Sequence, residues 1–309
     1  MSNNTSTTGH LLGAADIRRI AAEAGISPTK KFGQNFVIDP GTVRRIVREA
    51  DVTTNDHVME VGPGLGSLTL AILESGATMT AVEIDPPQAE RLPRTVAEFM
   101  PAAAARLTVV NRDALTVTPD NVPDFNGDTS FTLVANLPYH VATPSLLTLR
   151  ERFDSLGSFL VMVQKEVADR LAAKPGSKIY GTPSVKLAWY GTAERVGAIG
   201  RNVFWPAPNV DSALVKFTRY AADDTQAPSH GKSSADRELV FRLIDAAFGQ
   251  RRKTLHAALK TIVPAEAFAA AGIDPTRRGE TLTVTEFAAL AAAVQSTSHA
   301  TPTTDEVEQ

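Results

Sequence analysis

Residues 131–147, FTLVANLPYHVATPSLL, run an apolar strand into Asn136, a proline-restrained turn and Tyr139. Side chains in this order suit one kind of chemistry. An exocyclic amine on adenine is a poor nucleophile because its lone pair is delocalised into the ring. Two acceptors, the Asn136 side-chain carbonyl and the Leu137 main-chain carbonyl, could take hydrogen bonds from its two N–H groups. The nitrogen would then be pyramidal, with its lone pair aimed at an electrophile. Pro138 removes a donor and restrains Leu137 to an extended conformation, and Tyr139 offers a face on which a base can stack. A neutral amide is no base, so Asn136 is expected to act by positioning and electrostatics. The structural alternative is an Asn-Leu-Pro turn with a packing tyrosine.

Upstream, VMEVGPGLGSLTL joins an apolar strand to an amphipathic helix through Gly62, Gly64 and Gly66. Glycines at such a junction let the backbone pass close to a ligand and leave helix amides facing it. The G-x-G-x-G spacing is neither the dinucleotide fingerprint nor a phosphate loop, and no Lys-Ser/Thr pair follows, which disfavours a triphosphate. Glu83 closes the next strand, where a carboxylate can accept both hydroxyls of a ribose, and Asp85 stands close enough to compete for that role. Asp113 closes the third, placed to accept from an adenine amino group. Three successive strand ends thus supply a nucleoside pocket at the carboxyl edge of a sheet, and Asn136 ends the fourth on the same edge.

These side chains need a scaffold. Apolar runs at 57–61, 78–84, 107–111, 131–136, 157–164, 185–190 and 212–217 read as strands, most of them separated by helical periodicity. The expected fold is α/β, a mostly parallel seven-stranded sheet with helices on both faces. A polar stretch at 221–235 reads as a linker, so the expected division is 1–10 disordered, 11–220 the sheet domain, 236–295 a small C-terminal helical domain and 296–309 a disordered tail. In the helical part, Leu239, Val240, Leu243, Ala247 and Phe248 share a stripe, and Thr283 with Glu286 fits a capping box.

The chain has 309 residues, 43% hydrophobic and 21% charged, as expected of a soluble globular protein. It has no cysteine, which removes disulfides, thiolate metal sites and attack through sulfur. The six histidines are dispersed, and no metal is expected. Neither a secretory signal nor a membrane span is visible, so cytoplasm is the expected compartment. The net charge of −3 gives no global sign of nucleic-acid binding. Local charge differs: residues 231–260 hold seven basic against three acidic side chains, and residues 1–50 seven against four.

Through NLPY, KKFGQNFVID and NVFWPAPNVDSALV, residues 28–287 resemble the bacterial small-subunit rRNA adenine N6,N6-dimethyltransferase family, within the class I S-adenosylmethionine-dependent methyltransferases. The resemblance implies the Rossmann-like fold of that class, S-adenosylmethionine as methyl donor, and transfer to N6 of two adjacent adenosines near the 3′ end of 16S rRNA in the small ribosomal subunit, with a part in subunit biogenesis. It implies Gln34, Asn35 and Val37 at the methionine end of the donor, Gly62 beneath it, Glu83 on its ribose and Asp113 at its adenine. It implies Asn136, Leu137, Pro138 and Tyr139 as the target-amine motif, with Phe204 helping to hold the flipped base; plain core packing is the alternative for Phe204 and Trp205. Arg251, Arg252 and Lys253 in FGQRRKTL are the expected RNA contacts, and a monomer is expected. One departure is Arg112, where many members have glycine, which puts the backbone fit there in question. The rivals are a large-subunit (23S) rRNA adenine methyltransferase of the resistance type, a DNA adenine methyltransferase, and a non-catalytic ribosome-assembly or transcription factor on the same fold.

Overall fold

A computed structural model gives the fold, and it describes residues 9–26, 35–125, 127, 129–137, 141–225, 227–232 and 234–299. In chain order the elements are α1 (Ala14–Glu23), β1 (Phe36–Val37), α2 (Pro40–Glu49), β2 (His57–Val61), α3 (Ser67–Glu74), β3 (Thr78–Glu83), α4 (Pro86–Phe99), β4 (Leu107–Asn111), β5 (Phe131–Asn136), α5 (Ala142–Arg152), β6 (Leu156–Gln164), α6 (Lys165–Leu171), α7 (Thr182–Ala188), β7 (Gly191–Ile199), β8 (Phe204–Trp205), β9 (Ser212–Arg219), α8 (Ser234–Gly249), α9 (Leu255–Leu259), α10 (Ala265–Ala270) and α11 (Val284–His299). Two compact units result, Met1–Ala172 with Ala193–Arg219, and Ala173–Thr192 with Tyr220–Gln309. The break at Arg219 falls beside the expected boundary; the grouping of Ala173–Thr192 with the second unit was not visible in the sequence.

The first unit is built on a seven-stranded sheet in the order β4-β3-β2-β5-β6-β9-β7. Strands β4, β3, β2, β5 and β6 pair in parallel, and β9 joins β6 antiparallel. The central strands bury nearly every side chain, which is why they read as continuous apolar runs rather than alternating ones. From β2 the chain builds outward through β3 and β4, then returns to β5 on the other side of β2. Such a reversal opens a crevice beyond the carboxyl ends of the strands. Helix α3, expected to be amphipathic, is instead buried at every residue from Ser67 to Leu73, because its sequence has no charged face there. Helix α2 starts cleanly because Asp39 accepts a hydrogen bond from the Thr42 amide at 2.7 Å and Pro40 fits its first turn.

One expected strand is a helix. Residues 182–188, overlapping the run VKLAWY, form α7, and the missing strand is β7, GTAERVGAI. Pro183 pre-sets the backbone of a first helical turn, and Ser184 Oγ accepts from the Gly181 amide at 3.2 Å. Strand β7 ends the sheet, so it carries exposed Thr, Glu and Arg and lacks the apolar run of its neighbours.

In the second unit α8 packs against α11 and α9, and α10 against α11. The capping box forms as expected: the Thr283 amide donates to Glu286 Oε2 at 2.8 Å and the Glu286 amide to Thr283 Oγ1 at 3.2 Å. Helix α11 continues to His299, so residues 296–299, expected in a disordered tail, are helical; residues 300–309 lie outside the described residues. At the other end, His10 belongs to the packed unit rather than the expected disordered start, its ring 4.8 Å from Phe99.

Candidate active site

A cavity of about 470 Å³ opens at the carboxyl ends of β2, β3, β4 and β5, with Asn35, Phe36 and Val37 forming its other wall. That volume is in the range of small-molecule sites. The turn after β2 runs through three left-handed glycines, with φ of 68° at Gly62, 57° at Gly64 and 98° at Gly66. Gly62 and Gly64 line the cavity; Gly66 does not. A Cβ on Gly64 would stand 3.0 Å from the Phe36 ring, and one on Gly66 2.9 Å from Leu92 Cδ1. The third glycine, expected at the ligand, therefore serves the close approach of α3 to α4.

Glu83 is anchored by its neighbours. Its Oε2 accepts from the Gly64 amide at 3.2 Å and its Oε1 from the Asp85 amide at 3.0 Å. Only 5% exposed, its carboxyl is pushed up by burial, against the pull of those two amides. Asp85, the competitor for the ribose, accepts from Gln88 Nε2 at the start of α4 and also lines the cavity. A second buried carboxyl went unnoticed in the sequence. Glu60, in the strand just before the glycine turn, lines the same cavity and accepts from Thr69 Oγ1 at 2.6 Å. Burial first, and then the charge of Glu83, push it up to about 8, although the Thr69 hydrogen bond opposes the shift. In VMEVGPG it passed for an ordinary strand residue.

Asp113 uses Oδ1 to accept from the Leu115 amide at 2.8 Å, which orients the carboxylate and leaves Oδ2 for a ligand. Beside it Ile84, 60% exposed, gives the cavity an apolar flank, and no sequence pattern had marked it. Arg112 fits without strain. Its amide donates to the Glu83 carbonyl at 3.0 Å, its side chain lies exposed at the cavity rim, and among the described residues Asp51 is the non-glycine with positive φ.

Asn136 and Leu137 both line the cavity. The Asn136 amide Nδ2 donates to the Asn35 carbonyl at 3.3 Å, and the Leu137 main-chain amide donates to Met162 at 3.0 Å. The Asn35–Val37 segment is itself held: Ser67 Oγ donates to the Val37 carbonyl at 2.6 Å, and β1 pairs antiparallel with β8, Phe36 opposite Trp205 and Val37 opposite Phe204. Phe204 is 4% exposed, belongs to the buried core beside its strand partner Val37, and is not among the residues that line the cavity. Gln34, Pro138 and Tyr139 lie outside the described residues.

In the second unit, Arg251 spends its guanidinium internally. It donates to Glu280 Oε2 at 2.7 Å, to the Tyr180 carbonyl at 2.8 Å and to the Lys178 carbonyl at 2.7 Å. Arg252 and Lys253 are exposed. Among the described residues, no group of three or more His, Asp or Glu side chains is placed to hold a metal ion, and no helix is long and apolar enough to cross a membrane.

A family model described as ribosomal RNA adenine dimethylase matches residues 27–296. A protein of Bifidobacterium longum (strain NCC 2705), named ribosomal RNA small subunit methyltransferase A, is 84% identical over 300 residues, covering 96% of this chain and 97% of its own. One of the same name from Thermobifida fusca (strain YX) is 55% identical, covering 94% and 99%. Among solved structures, a dimethyladenosine transferase from Plasmodium falciparum superposes with a TM-score of 0.69 at 20% identity, over 85% of this chain and 98% of that one. The 23S rRNA methyltransferase ErmE gives 0.62 at 23%, over 84% and 100%. Both structures share the fold.

Proposed function

This chain belongs to the ribosomal RNA adenine dimethylase family, and we propose that it transfers methyl groups from S-adenosylmethionine to N6 of two adjacent adenosines near the 3′ end of 16S rRNA, two on each. S-adenosylmethionine, when bound, supplies an electrophilic methyl group on a sulfonium. Glu83 holds the ribose, Asp113 Oδ2 accepts from the adenine amino group, and Ile84 packs on the base. Asn35 and Val37 line the methionine end, which Gln34 completes. The donor set fits this nucleoside: two anchored carboxylates for hydroxyls and amine, an apolar flank, and a glycine turn with room for close approach.

Asn136 does the positioning. With Nδ2 engaged by the Asn35 carbonyl, its Oδ1 is the atom left to accept from the target amine, and the Leu137 carbonyl is the second acceptor. The nitrogen's lone pair is thereby turned out of conjugation toward the donor. The proton released after transfer goes to solvent, since no neutral amide takes it. The target base leaves its stack to reach this edge, with Tyr139 stacking on it. The held Asn136 amide, lining one cavity with Glu83 and Asp113, is the observation that carries this reading.

We propose the small ribosomal subunit as the substrate particle, Arg252 and Lys253 as phosphate contacts, a monomeric enzyme without a metal, cytoplasmic residence and a role in subunit biogenesis. The names of relatives at 84% and 55% identity support the small-subunit substrate over the resistance-type rival, whose likeness is one of fold. The intact acceptor and donor residues speak against a non-catalytic factor. Labelled S-adenosylmethionine incubated with undermethylated small subunits, followed by mapping of the modified bases, tests the reading. Label confined to large-subunit RNA or DNA would select a rival.

A further inference from the structure

Trp205 packs beside the cavity without lining it. Its strand partner across the β1–β8 ribbon is Phe36, and directly paired residues project to the same face of a ribbon. Phe36 lines the cavity, and the two rings lie 6.4 Å apart at 30°. Trp205 is thus one aromatic ring removed from the cavity. It is half-buried, and the exposed guanidinium of Arg18 stands 6.0 Å from its ring centroid. A structural tryptophan is normally closed over by core side chains, as Trp189 is at 3% exposure. Trp205 packs against the core with only part of its surface, and the exposed Arg18 cation stands over its ring.

An aromatic ring beside a cation is the pairing that single-stranded RNA uses: the ring stacks a base and the cation meets the adjoining phosphate. When a target adenosine is extruded into the cavity, its neighbour in the strand is left without a stacking partner at the cavity mouth. We infer that Trp205 is the stacking platform for a nucleobase flanking the target adenosine, with Arg18 on that nucleotide's phosphate. This rests on the RNA-adenosine reading above. Trp205 is then a positioning residue for the RNA strand and takes no part in donor binding.

The test compares Trp205→Phe and Trp205→Leu in the full chain, since both keep an apolar side chain against Phe36 and only one keeps an aromatic face. Steady-state methylation of undermethylated small subunits and calorimetric binding of S-adenosylhomocysteine are measured for each. Trp205→Leu is expected to raise the KM for subunits roughly five- to fifty-fold, the worth of one base stack, while Trp205→Phe recovers most of it. Affinity for S-adenosylhomocysteine should stay at the wild-type value in both. The salt dependence of KM should be unchanged by Trp205→Leu and weakened by Arg18→Ala, as expected for stacking and phosphate contact respectively. Equal KM values for the Phe and Leu variants, or a parallel loss of S-adenosylhomocysteine affinity, would overturn the inference and leave Trp205 as a prop for the cavity wall. Absence of transfer by the wild-type protein would instead sink the functional reading, and this inference with it.

Discussion

The side-chain amide of Asn136 donates to the main-chain carbonyl of Asn35 at 3.3 Å, across 101 positions of sequence. That bond occupies Nδ2 and leaves Oδ1 as the atom that the proposed function requires to accept from the target amine. Asn136→Ala should lower kcat by at least about a hundredfold, the scale of losing a preorganised polar group, with S-adenosylhomocysteine binding nearly intact. Asn136→Asp keeps an acceptor but sets a carboxylate against the Asn35 carbonyl. It should also lose most of its turnover, and a fully active Asp variant would contradict the proposed orientation.

Gly64 and Gly66 separate ligand fit from packing. Both hold positive φ, so alanine at either is strained by about 1 kcal/mol or more. At Gly64 the new Cβ presses on Phe36 in the cavity wall, whereas at Gly66 it presses on Leu92 of α4. Gly64→Ala should weaken S-adenosylhomocysteine binding more than it lowers the melting temperature. Gly66→Ala should do the reverse. Calorimetry and thermal unfolding of the two variants, side by side, check the assignment.

The parallel core of the fold was legible because strands buried on both faces must be apolar throughout, as in residues 131–136 and 157–164. Strand β7 was not, since an edge strand needs no such run, and α7 was mistaken for a strand because a short apolar segment has no decisive period. In the site, Glu83, Asp113 and Asn136 announced themselves as polar residues closing apolar strands. Glu60 and Ile84 did not, because a carboxyl buried inside a strand and an apolar side chain exposed beside it follow from the cavity's shape, which no local pattern encodes. Arg251 looked like part of a basic RNA-facing run; only the three-dimensional positions of Lys178, Tyr180 and Glu280 turn it inward.

Glu60 gives the protein a pH-dependent cost. Its carboxyl is held protonated up to about 8 by burial, against an ordinary value near 4.5. A carboxyl raised in the folded state binds more protons there than when unfolded, so its contribution to stability is complete below about pH 4.5 and is lost as pH climbs to about 8. Glu60→Gln keeps an acceptor for Thr69 without the ionisation. Its unfolding free energy should fall less than that of the wild type between pH 5 and pH 8, measured by urea denaturation in ligand-free protein, roughly those values being the bounds of the window. Parallel curves for the two proteins would mean that Glu60 ionises normally in the fold.

The basic triplet should split into two behaviours. Arg251 ties Glu280 and two main-chain carbonyls together within the second unit, and removing it leaves a carboxylate and two carbonyls without that donor. Arg251→Ala should therefore destabilise the protein by about 2 kcal/mol, the range for losing hydrogen bonds to a charged group. Arg252 and Lys253 make no such internal tie among the described residues and stand exposed. Replacing both with alanine should leave the melting temperature within about 1 °C, as surface changes usually do. The same double variant should raise the KM for small subunits and flatten its dependence on salt, because each lost phosphate contact removes roughly one counterion from the binding equilibrium. If the double variant instead unfolded early while Arg251→Ala changed only the salt dependence, the structural and RNA-facing roles would be exchanged.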